Sequence, residues 1–486
     1  MIPELQKIDY KNVFHYFEEI SKIPRGSGDN QRISDYLVEF AKEHNLPFIQ
    51  DDFLNVIITR EATPGYEDCA PVIVQGHMDM VCEKTPESTH DFTTDGLELI
   101  VEEDWLHANN TTLGGDDGIA VAYGLALLAD PDLKSPKLEV VITTDEETGM
   151  FGAKGLDTSV LTAKYLINVD SEEEDSVLTS CAGGLTGTAS LPIHRIEAEG
   201  VLVNLSVSGL KGGHSGCEIQ NHRTNANKLL GRFLFDLRNT VDYCLVSVEG
   251  GSKDNVITKE AYAELVIAKD AIKAFEDEVS RIAKIYQLEL KSSEPELKAA
   301  TVIKEEGTAE VLDPISFEKF LFLLMNAPYG VQSMSADIEG LVETSLNLGI
   351  LKVEDTEATY CFSIRSSISS AKHALSDRLE YLANFLGADY TVRGEYPAWE
   401  FRKESKLRDL YCKVYHEVTD KEIRVEAIHA GLECGLFFEK FDDCDMISIG
   451  PNMSGIHTPT EKLNIPSTIR VYKMVEKTLE RMKELQ

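Results

Sequence analysis

Histidine and acidic residues at several points of this sequence could together bind metal ions. Imidazole nitrogens and carboxylate oxygens are usual ligands of zinc and similar divalent metals. In chain order the candidates are His77, Asp79, Asp116, Asp145, Glu146, Glu147, Asp170 and His457. If the fold gathers them, so many like charges require a cation to neutralise them. The set therefore predicts a metal site.

The number of candidate ligands favours two ions over one. The two imidazoles and only three of the six carboxylates would already be more ligands than one tetrahedral site with an open position can use. Two metals with one bridging carboxylate would use all five, and at roughly 3.5–4 Å apart they would share a hydroxide nucleophile. Each residue taken alone also has a simpler explanation. Asp116 or Asp117 could cap a helix, His77 could be an ordinary hydrogen-bonded histidine, and the acidic run at 172–174 could be a solvated loop.

The segments around these candidates predict a mostly parallel β-sheet covered by helices. β-Branched runs favour buried strands, and longer apolar or amphipathic segments favour helices. Predicted strands lie at 72–75, 138–143, 165–169 and 446–450, and predicted helices at 119–130 and 467–485. Ligand sites in such sheets form outside the carboxyl ends of the strands. Candidates that follow separate strands should therefore converge at one edge of the sheet.

The middle of the chain has a different pattern and predicts an inserted domain. Alternating strands such as 201–209 and 261–268 are mixed there with long acidic helices, which is typical of an α+β arrangement. Glycine and proline near residues 183–184 and 394–397 suggest hinges. We predict an α/β catalytic domain interrupted by an α+β lid domain. Its segments are 1–184 (catalytic, first part), 185–397 (lid) and 398–486 (catalytic, second part).

Composition excludes several classes of partner. The chain has 47 Lys and Arg against 83 Asp and Glu, a formal charge of −36, which disfavours binding to nucleic acid or to an anionic membrane. No apolar run approaches the roughly 20 residues of a membrane span, and the first residues do not resemble a secretory signal. Nine cysteines without a CxxC pair do not indicate a disulfide framework. We therefore expect a cytoplasmic protein.

Seven motifs together resemble one enzyme family. They are GHMDMV, LGGDDGIA, TTDEETGMFGA, INVDSEEE, GLKGGHSG, HAGLECG and SIGPNMSGIHTPTE. Their sequences and order are similar to those of the aminoacyl-histidine dipeptidases, also called cytosolic Xaa-His dipeptidases. That family belongs to the dinuclear zinc metallopeptidases related to carnosinase. The resemblance covers nearly the whole chain.

The resemblance implies a role for each candidate of the metal site. Asp116 would bridge two metals, with His77 and Asp170 completing one site and Glu147 and His457 the other. Glu146 would be the general base, which takes a proton from the metal-bridging water and passes it to the leaving amine. Asp79 would orient a ligand imidazole and raise its basicity. In this family the peptide bond before the position of Asp117 is commonly cis.

Five further residues match positions of the family that bind substrate: His214, Asn255, Arg365, His429 and Gly431. His214 would help to stabilise the oxyanion, either within its own chain or across a dimer. The guanidinium of Arg365 could pair with the terminal carboxylate of a dipeptide. His429 would line the pocket, and Gly431 would leave room for the substrate. Without the other motifs, His214 would be read as a turn histidine and Arg365 as a member of a surface ion pair.

The expected activity is therefore metal-dependent hydrolysis of unblocked dipeptides, Xaa-His dipeptides among them. The resemblance implies two Zn²⁺ ions per chain, although Co²⁺ or Mn²⁺ would suit the same ligands, and it implies a homodimer. One alternative is an N-acyl amino acid deacylase or carboxypeptidase of the same superfamily. Those enzymes tend to have Glu where this chain has Asp170. Another alternative is a peptide-binding or metal-binding protein without activity, which would have no need of Glu146.

Overall fold

The computed structural model describes residues 2–486. Within it the chain forms two compact units, which are described separately. The first unit contains residues up to Cys181, then Trp399–Ala427 and Leu432–Gln486, and the second contains Ala182–Ala398 and Ile428–Gly431. The motif HAGLECG is thus divided between the units. Whether the second unit acts as a lid stays a prediction.

The first unit is built around an eight-stranded sheet. Its strands are β1 (Phe48–Gln50), β2 (Val56–Arg60), β3 (Val72–His77), β6 (Leu138–Thr143), β7 (Tyr165–Asn168), β8 (Ser176–Cys181), β20 (Arg424–Ile428) and β21 (Asp445–Ser448). They lie in the order β1-β2-β6-β3-β7-β21-β8-β20. Parallel pairing joins the four central strands, β6, β3, β7 and β21. The pairs β1-β2, β2-β6 and β21-β8 are antiparallel.

Helices and a smaller sheet complete this unit. The helices are α1 (Pro3–Gln6), α2 (Val13–Ser21), α3 (Gln31–Glu43), α4 (Gly115–Ala129), α5 (Phe151–Gly155), α10 (Lys406–Thr419), α11 (Glu433–Lys440) and α12 (Ile465–Arg481), with 3₁₀ turns at Thr158–Val160 and Met482–Leu485. A four-stranded sheet has the order β22-β23-β5-β4, formed by β4 (Leu99–Glu102), β5 (Trp105–Ala108), β22 (Met453–Ser454) and β23 (Lys462–Asn464). Helix α4 is buried along most of its length and packs on β3. A Cβ at Gly76 would lie 2.2 Å from that of Ala120, so glycine permits this close approach.

The second unit is an α+β arrangement around an antiparallel sheet. The sheet order is β15-β10-β14-β12-β17-β18-β9-β19, with β16 paired to β17, and β11 and β13 form a separate pair. The strands are β9 (Gly183–Pro192), β10 (Arg195–Ser208), β11 (Gly213–His214), β12 (Tyr243–Gly250), β13 (Val256–Ile257), β14 (Ala261–Ile267), β15 (Lys298–Leu312), β16 (Gly330–Met334), β17 (Val342–Val353), β18 (Glu357–Ser366) and β19 (Asp389–Tyr396). The helices are α6 (Ala226–Leu237), α7 (Ile272–Glu289), α8 (Pro314–Asn326) and α9 (Ser369–Leu386), with 3₁₀ turns at Ile219–Asn221 and Lys269–Ala271.

The predicted fold class is confirmed, because the chain combines α/β and α+β arrangements, each with its own apolar core. The parallel part of the first sheet is limited to its centre. Five residues separate β1 from β2, too few for the crossover that a parallel pair needs, so these strands meet as an antiparallel pair. Among residues 2–486, none of the helices has the length and apolarity needed to cross a membrane.

Candidate metal centre and active site

The carboxyl ends of the central strands bring the first candidates to one edge of the sheet. His77 is the last residue of β3 and pairs in register with Thr143, the last residue of β6. Asn168 ends β7 and lies two residues before Asp170. The turn after β6 carries Glu146 and Glu147. Parallel register therefore places three segments with candidate ligands side by side, as the sequence predicts.

Asp116 lies between the two histidines. Its Oδ1 is 3.2 Å from Nε2 of His77, and its Oδ2 is 3.1 Å from Nε2 of His457. Nε2 of His77 is also 3.8 Å from Oδ1 of Asp170, and Nε2 of His457 is 3.0 Å from Oε1 of Glu147. Because each oxygen of Asp116 faces a different imidazole, this carboxylate is positioned to be shared between two sites.

Three groups of three side chains could each hold a metal ion, because within each group the possible ligand atoms lie within 4.8 Å of one another. Two of them are His77 with Asp116 and Asp170, and Asp116 with Glu147 and His457. The third is His77 with Glu146 and Glu147. Distance alone therefore does not separate the predicted base Glu146 from the predicted ligands.

The electrostatics of this cluster fit a divalent metal. Burial raises the pKa of Glu146 to about 8, and burial followed by repulsion from Asp117 raises the pKa of Asp170 well above its usual value. Hydrogen bonds to Asp116 and then to Glu147 raise the pKa of His457 to about 10. Without a cation, the cluster must hold protons to limit its negative charge. Imidazole and carboxylate donors without a thiolate suit Zn²⁺, Co²⁺ or Mn²⁺.

Asp79 connects the predicted base, Glu146, to one of the predicted ligands, His77. Its Oδ1 is 3.3 Å from Nδ1 of His77, and its backbone carbonyl oxygen is 3.1 Å from the same nitrogen. The backbone N–H groups of Glu146 and Glu147 donate to its carboxylate at 3.1 and 3.4 Å, and the hydroxyl of Ser27 donates at 2.8 Å. Because Nδ1 of His77 faces the two acceptor oxygens of Asp79, its Nε2 faces Asp116 and is available to bind a metal.

Asp117 and Asp145 lie next to cluster residues in the sequence, and their side chains accept hydrogen bonds that hold the surrounding backbone. The peptide bond between Asp116 and Asp117 is cis, as the family resemblance implies. Asp117 is fully buried and its Oδ2 accepts the backbone N–H of His77 at 3.1 Å. Asp145, one of the original candidates, accepts from the backbone N–H of Gly28 and from Nδ2 of Asn30, both at 2.7 Å. Asp145 therefore connects the turn after β6 to the loop before α3.

The five predicted substrate-binding residues all belong to the second unit. His429 is buried there, with its Nε2 2.7 Å from Oγ of Ser345, and burial followed by the nearby charge of Arg365 lowers its pKa to about 3. Nη1 of Arg365 donates to the hydroxyl of Tyr396 at 3.0 Å, whereas its Nε is buried without a partner. A Cβ at Gly431 would lie 2.8 Å from the ring of Tyr396, so this ring occupies the space beside the glycine.

His214 is held as a neutral hydrogen-bond donor. Its Nδ1 accepts the backbone N–H groups of Gly216 and Cys217, both at 3.2 Å, so its remaining ring proton is on Nε2. Burial and then Arg365 lower its pKa. Asn255 is a neighbour, because its backbone carbonyl accepts the N–H of Ser215 at 2.9 Å.

Sequence reasoning missed three buried charged residues that hydrogen-bond to the segments around the cluster: Arg25, Glu433 and Glu461. Glu433 is fully buried and accepts hydrogen bonds from Oγ1 of Thr143, at 2.6 Å, and from Nε2 of Gln75. Burial raises its pKa to about 7. The only sequence signal for two of them was their position, since Glu433 lies in the motif HAGLECG and Glu461 ends the motif SIGPNMSGIHTPTE.

The family described as Peptidase family M20/M25/M40 matches residues 73–481 of this sequence. The chain belongs to this family. It is therefore a metallopeptidase, and the family recognised from the motifs is confirmed.

This M20 peptidase has relatives with similarity over nearly the whole chain. It is 37% identical, over 476 residues that make up 96% of each chain, to the cytosol non-specific dipeptidase of Escherichia coli (strain K12). The crystal structure of aminoacylhistidine dipeptidase from Vibrio alginolyticus is similar with a TM-score of 0.91 and 35% identity, covering 96% of each chain. Human carnosine dipeptidase 1 shares the fold, with a TM-score of 0.51, 14% identity and coverage of 99% of this chain and 98% of that chain.

Proposed function

We propose that this M20 peptidase hydrolyses the peptide bond of unblocked dipeptides, including Xaa-His dipeptides. The observation that carries the proposal is the position of Asp116 between His77 and His457, at 3.2 and 3.1 Å. The names of two relatives support the substrate class, since both are dipeptidases and one is an aminoacylhistidine dipeptidase.

The proposed metal ligands are His77, Asp116, Glu147, Asp170 and His457. Two divalent ions, for which we propose zinc, would polarise the scissile carbonyl and acidify the attacking water. The three carboxylates and two imidazoles supply enough donors for both ions only if one carboxylate is shared, and Asp116 is the one with an oxygen toward each histidine.

Glu146 is the proposed general base. It is adjacent in sequence to the ligand Glu147, and its backbone is fixed by the hydrogen bond to Asp79. As a carboxylate, Glu146 would take the proton of the attacking water and then pass that proton to the leaving amine. The carboxylate of Asp79 would hold His77 and the turn of Glu146 in a fixed geometry. It faces Nδ1 of His77, the N–H groups of Glu146 and Glu147, and the hydroxyl of Ser27.

Residues of the second unit are the proposed contacts of the substrate. Arg365, with a buried Nε that lacks a protein partner, would pair with the terminal carboxylate of the dipeptide. His214 would donate from Nε2 to the oxyanion. His429, Asn255 and Gly431 would line the remaining pocket. A preference for a short peptide with a free carboxylate follows from an arginine at that position.

Three further properties belong to the same proposal. We place the enzyme in the cytoplasm, where its nine free cysteines would stay reduced, and we expect it to act on small peptides and to bind neither nucleic acid nor membranes. We also propose a homodimer. Light scattering after size-exclusion chromatography tests the dimer, and a mass near 54 kDa, that of one chain, would contradict it.

A panel of substrates tests the proposed activity. Metal-free enzyme is loaded separately with zinc, cobalt or manganese and is given alanyl-histidine, β-alanyl-histidine, N-acetyl-alanyl-histidine or alanyl-alanyl-histidine. Hydrolysis of the two free dipeptides supports the proposal. Preferential release of acetate would indicate a deacylase, and release of histidine only from the longer or blocked peptides would indicate a carboxypeptidase. Bound metal without any hydrolysis would indicate a binding protein.

A further inference from the structure

A buried carboxylate lies beneath the segment that carries Asp116. Glu461 is 3% exposed and belongs to the loop before β23, four residues after His457. Its carboxylate accepts backbone N–H groups of the turn that leads into α4. The donors are Leu113 at 2.8 Å, Gly114 at 3.1 Å, Gly115 at 2.8 Å and, with a longer bond, Asp116 at 3.4 Å. These N–H groups precede or begin a helix, where the backbone offers them no acceptor.

A buried guanidinium holds the same turn through its carbonyl side. Nη2 of Arg25 donates to the carbonyl of Gly114 at 2.5 Å. Nη1 donates to the carbonyls of Met78 and Asp79, at 3.0 and 3.3 Å. Gly114 therefore bonds to Glu461 through its N–H and to Arg25 through its carbonyl. Its φ of 63° and the 2.5 Å distance that a Cβ would have from Nη2 explain why glycine occupies this position.

These two buried charges connect the three segments that carry the central side chains. Arg25 joins the residues after β3, next to His77, to the turn before Asp116. Glu461 joins that turn to the loop of His457. The hydrogen bonds of both side chains go to backbone groups, so each side chain holds the site through the backbone. A shift of this turn would move Asp116 relative to both histidines, because the backbone N–H of Asp116 is itself one of the groups that Glu461 binds.

We infer that Glu461 is a positioning residue that fixes the Asp116 carboxylate between His77 and His457, with Arg25 as its counterpart on the carbonyl side of the turn. The inference rests on the proposed metal centre and adds a residue that contacts neither metal nor substrate. A carboxylate suits this role because two oxygens accept four N–H groups at once. The amide of a glutamine has only one oxygen. Its NH₂ group would face two of the four N–H donors, which would then lose their acceptor.

Metal affinity tests this role without relying on turnover. In Glu461→Gln, competition with a chromophoric chelator should show binding of the weaker of two ions reduced about 10- to 100-fold, the range typical for groups that orient ligands. The visible spectrum of the cobalt-loaded variant should also change. With alanyl-histidine, kcat should fall while KM changes little. The control is Glu480→Gln, in which an exposed glutamate that pairs with Lys134 is altered.

Two outcomes would overturn the inference. One is a Glu461→Gln variant with a lowered unfolding temperature but unchanged metal affinity and cobalt spectrum, which would show that Glu461 only stabilises the fold. If this variant does not fold, Glu461→Asp decides, since it keeps the charge and moves the carboxylate by one methylene. It should fold and show the same loss of affinity, and wild-type affinity in that variant is the second contradicting outcome. A wild-type protein that binds two metals but cleaves no dipeptide would refute the proposed function alone.

Discussion

Replacing Asp79 by asparagine changes one charge while keeping the shape of the side chain. Oδ1 of Asp79 faces Nδ1 of His77 and the N–H of Glu146, and Oδ2 faces the hydroxyl of Ser27 and the N–H of Glu147. The amide oxygen should take the place of Oδ1, since the hydroxyl of Ser27 can rotate and accept from the new amide group. Only the 3.4 Å bond from Glu147 is then lost.

The size of the effect follows from this geometry. Loss of one long hydrogen bond should lower the free energy of unfolding by at most about 0.5–1.5 kcal/mol. The larger consequence is a weaker acceptor beside His77, which reduces the basicity of the imidazole as a ligand. Groups in this position usually contribute about 10- to 100-fold to metal affinity or activity, or about 1.4–2.7 kcal/mol at 1.36 kcal/mol per tenfold. Activity should therefore fall more than stability.

The assay compares kcat/KM for alanyl-histidine, metal affinity and urea unfolding in the same preparations of Asp79→Asn. Asp157→Asn is the matched control, because Asp157 also accepts a backbone N–H, from Ser159, but is exposed and lies outside the cluster. The reasoning is refuted if Asp79→Asn retains wild-type metal affinity and kcat/KM, or if it loses activity only in proportion to the fraction that unfolds.

Four further predictions concern single side chains. Glu146→Gln should keep both metals while kcat falls about 10²- to 10⁴-fold; loss of metal in parallel, measured by atomic absorption, would make Glu146 a ligand. His457→Ala should bind one ion instead of two, because His77, Asp116 and Asp170 remain as a group; unchanged stoichiometry would contradict this. Arg365→Lys should raise KM for dipeptides about 10- to 100-fold with a smaller change in kcat, since lysine cannot pair bidentately, and an unchanged KM would argue against carboxylate binding. Burial lowers the pKa of His429 to about 3 from 6.5, so the unfolded chain takes up a proton that the folded chain does not as the pH falls below about 6.5. Acidification therefore lowers the free energy of unfolding. Between pH 7.5 and 5, urea unfolding should show a smaller decrease for His429→Gln than for the wild type; equal decreases would contradict this.

The strands that carry the site could be predicted closely, because they are buried on both faces and are rich in β-branched residues. The run at 138–143 coincides with β6. The predicted strand at 72–75 ends two residues too early, because β3 continues to His77. A histidine does not look like a strand residue in sequence, but here the backbone of His77 still pairs with that of Thr143.

The starts of helices were harder to predict. Helix α4 begins at Gly115, four residues before the predicted apolar segment, and its first turn has non-helical dihedral angles at Asp116 and Asp117. Glycine and aspartate have low helix propensity, so the sequence GDDG does not favour a helix. Helix α12 begins at Ile465, where Pro466 lies in the first turn and Asn464 caps it. Its final predicted residues form the 3₁₀ turn at Met482–Leu485.

The candidate site could be predicted only for residues whose side chains carry its chemistry. Histidine and carboxylates after strands give a visible pattern, and the structure brings His77, Asp116 and His457 together. Arg25 and Glu461 give no such pattern, because their partners are backbone N–H and carbonyl groups that every residue has. Their roles depend on the path of the turn at Gly114, which the sequence alone does not determine.

The central claim is that Asp116 is shared by two metal ions, and anomalous diffraction from zinc-loaded crystals tests it most directly. The account predicts two zinc peaks on either side of the Asp116 carboxylate, one beside His77 and Asp170 and the other beside Glu147 and His457. A single peak, or two peaks of which only one contacts Asp116, would contradict it.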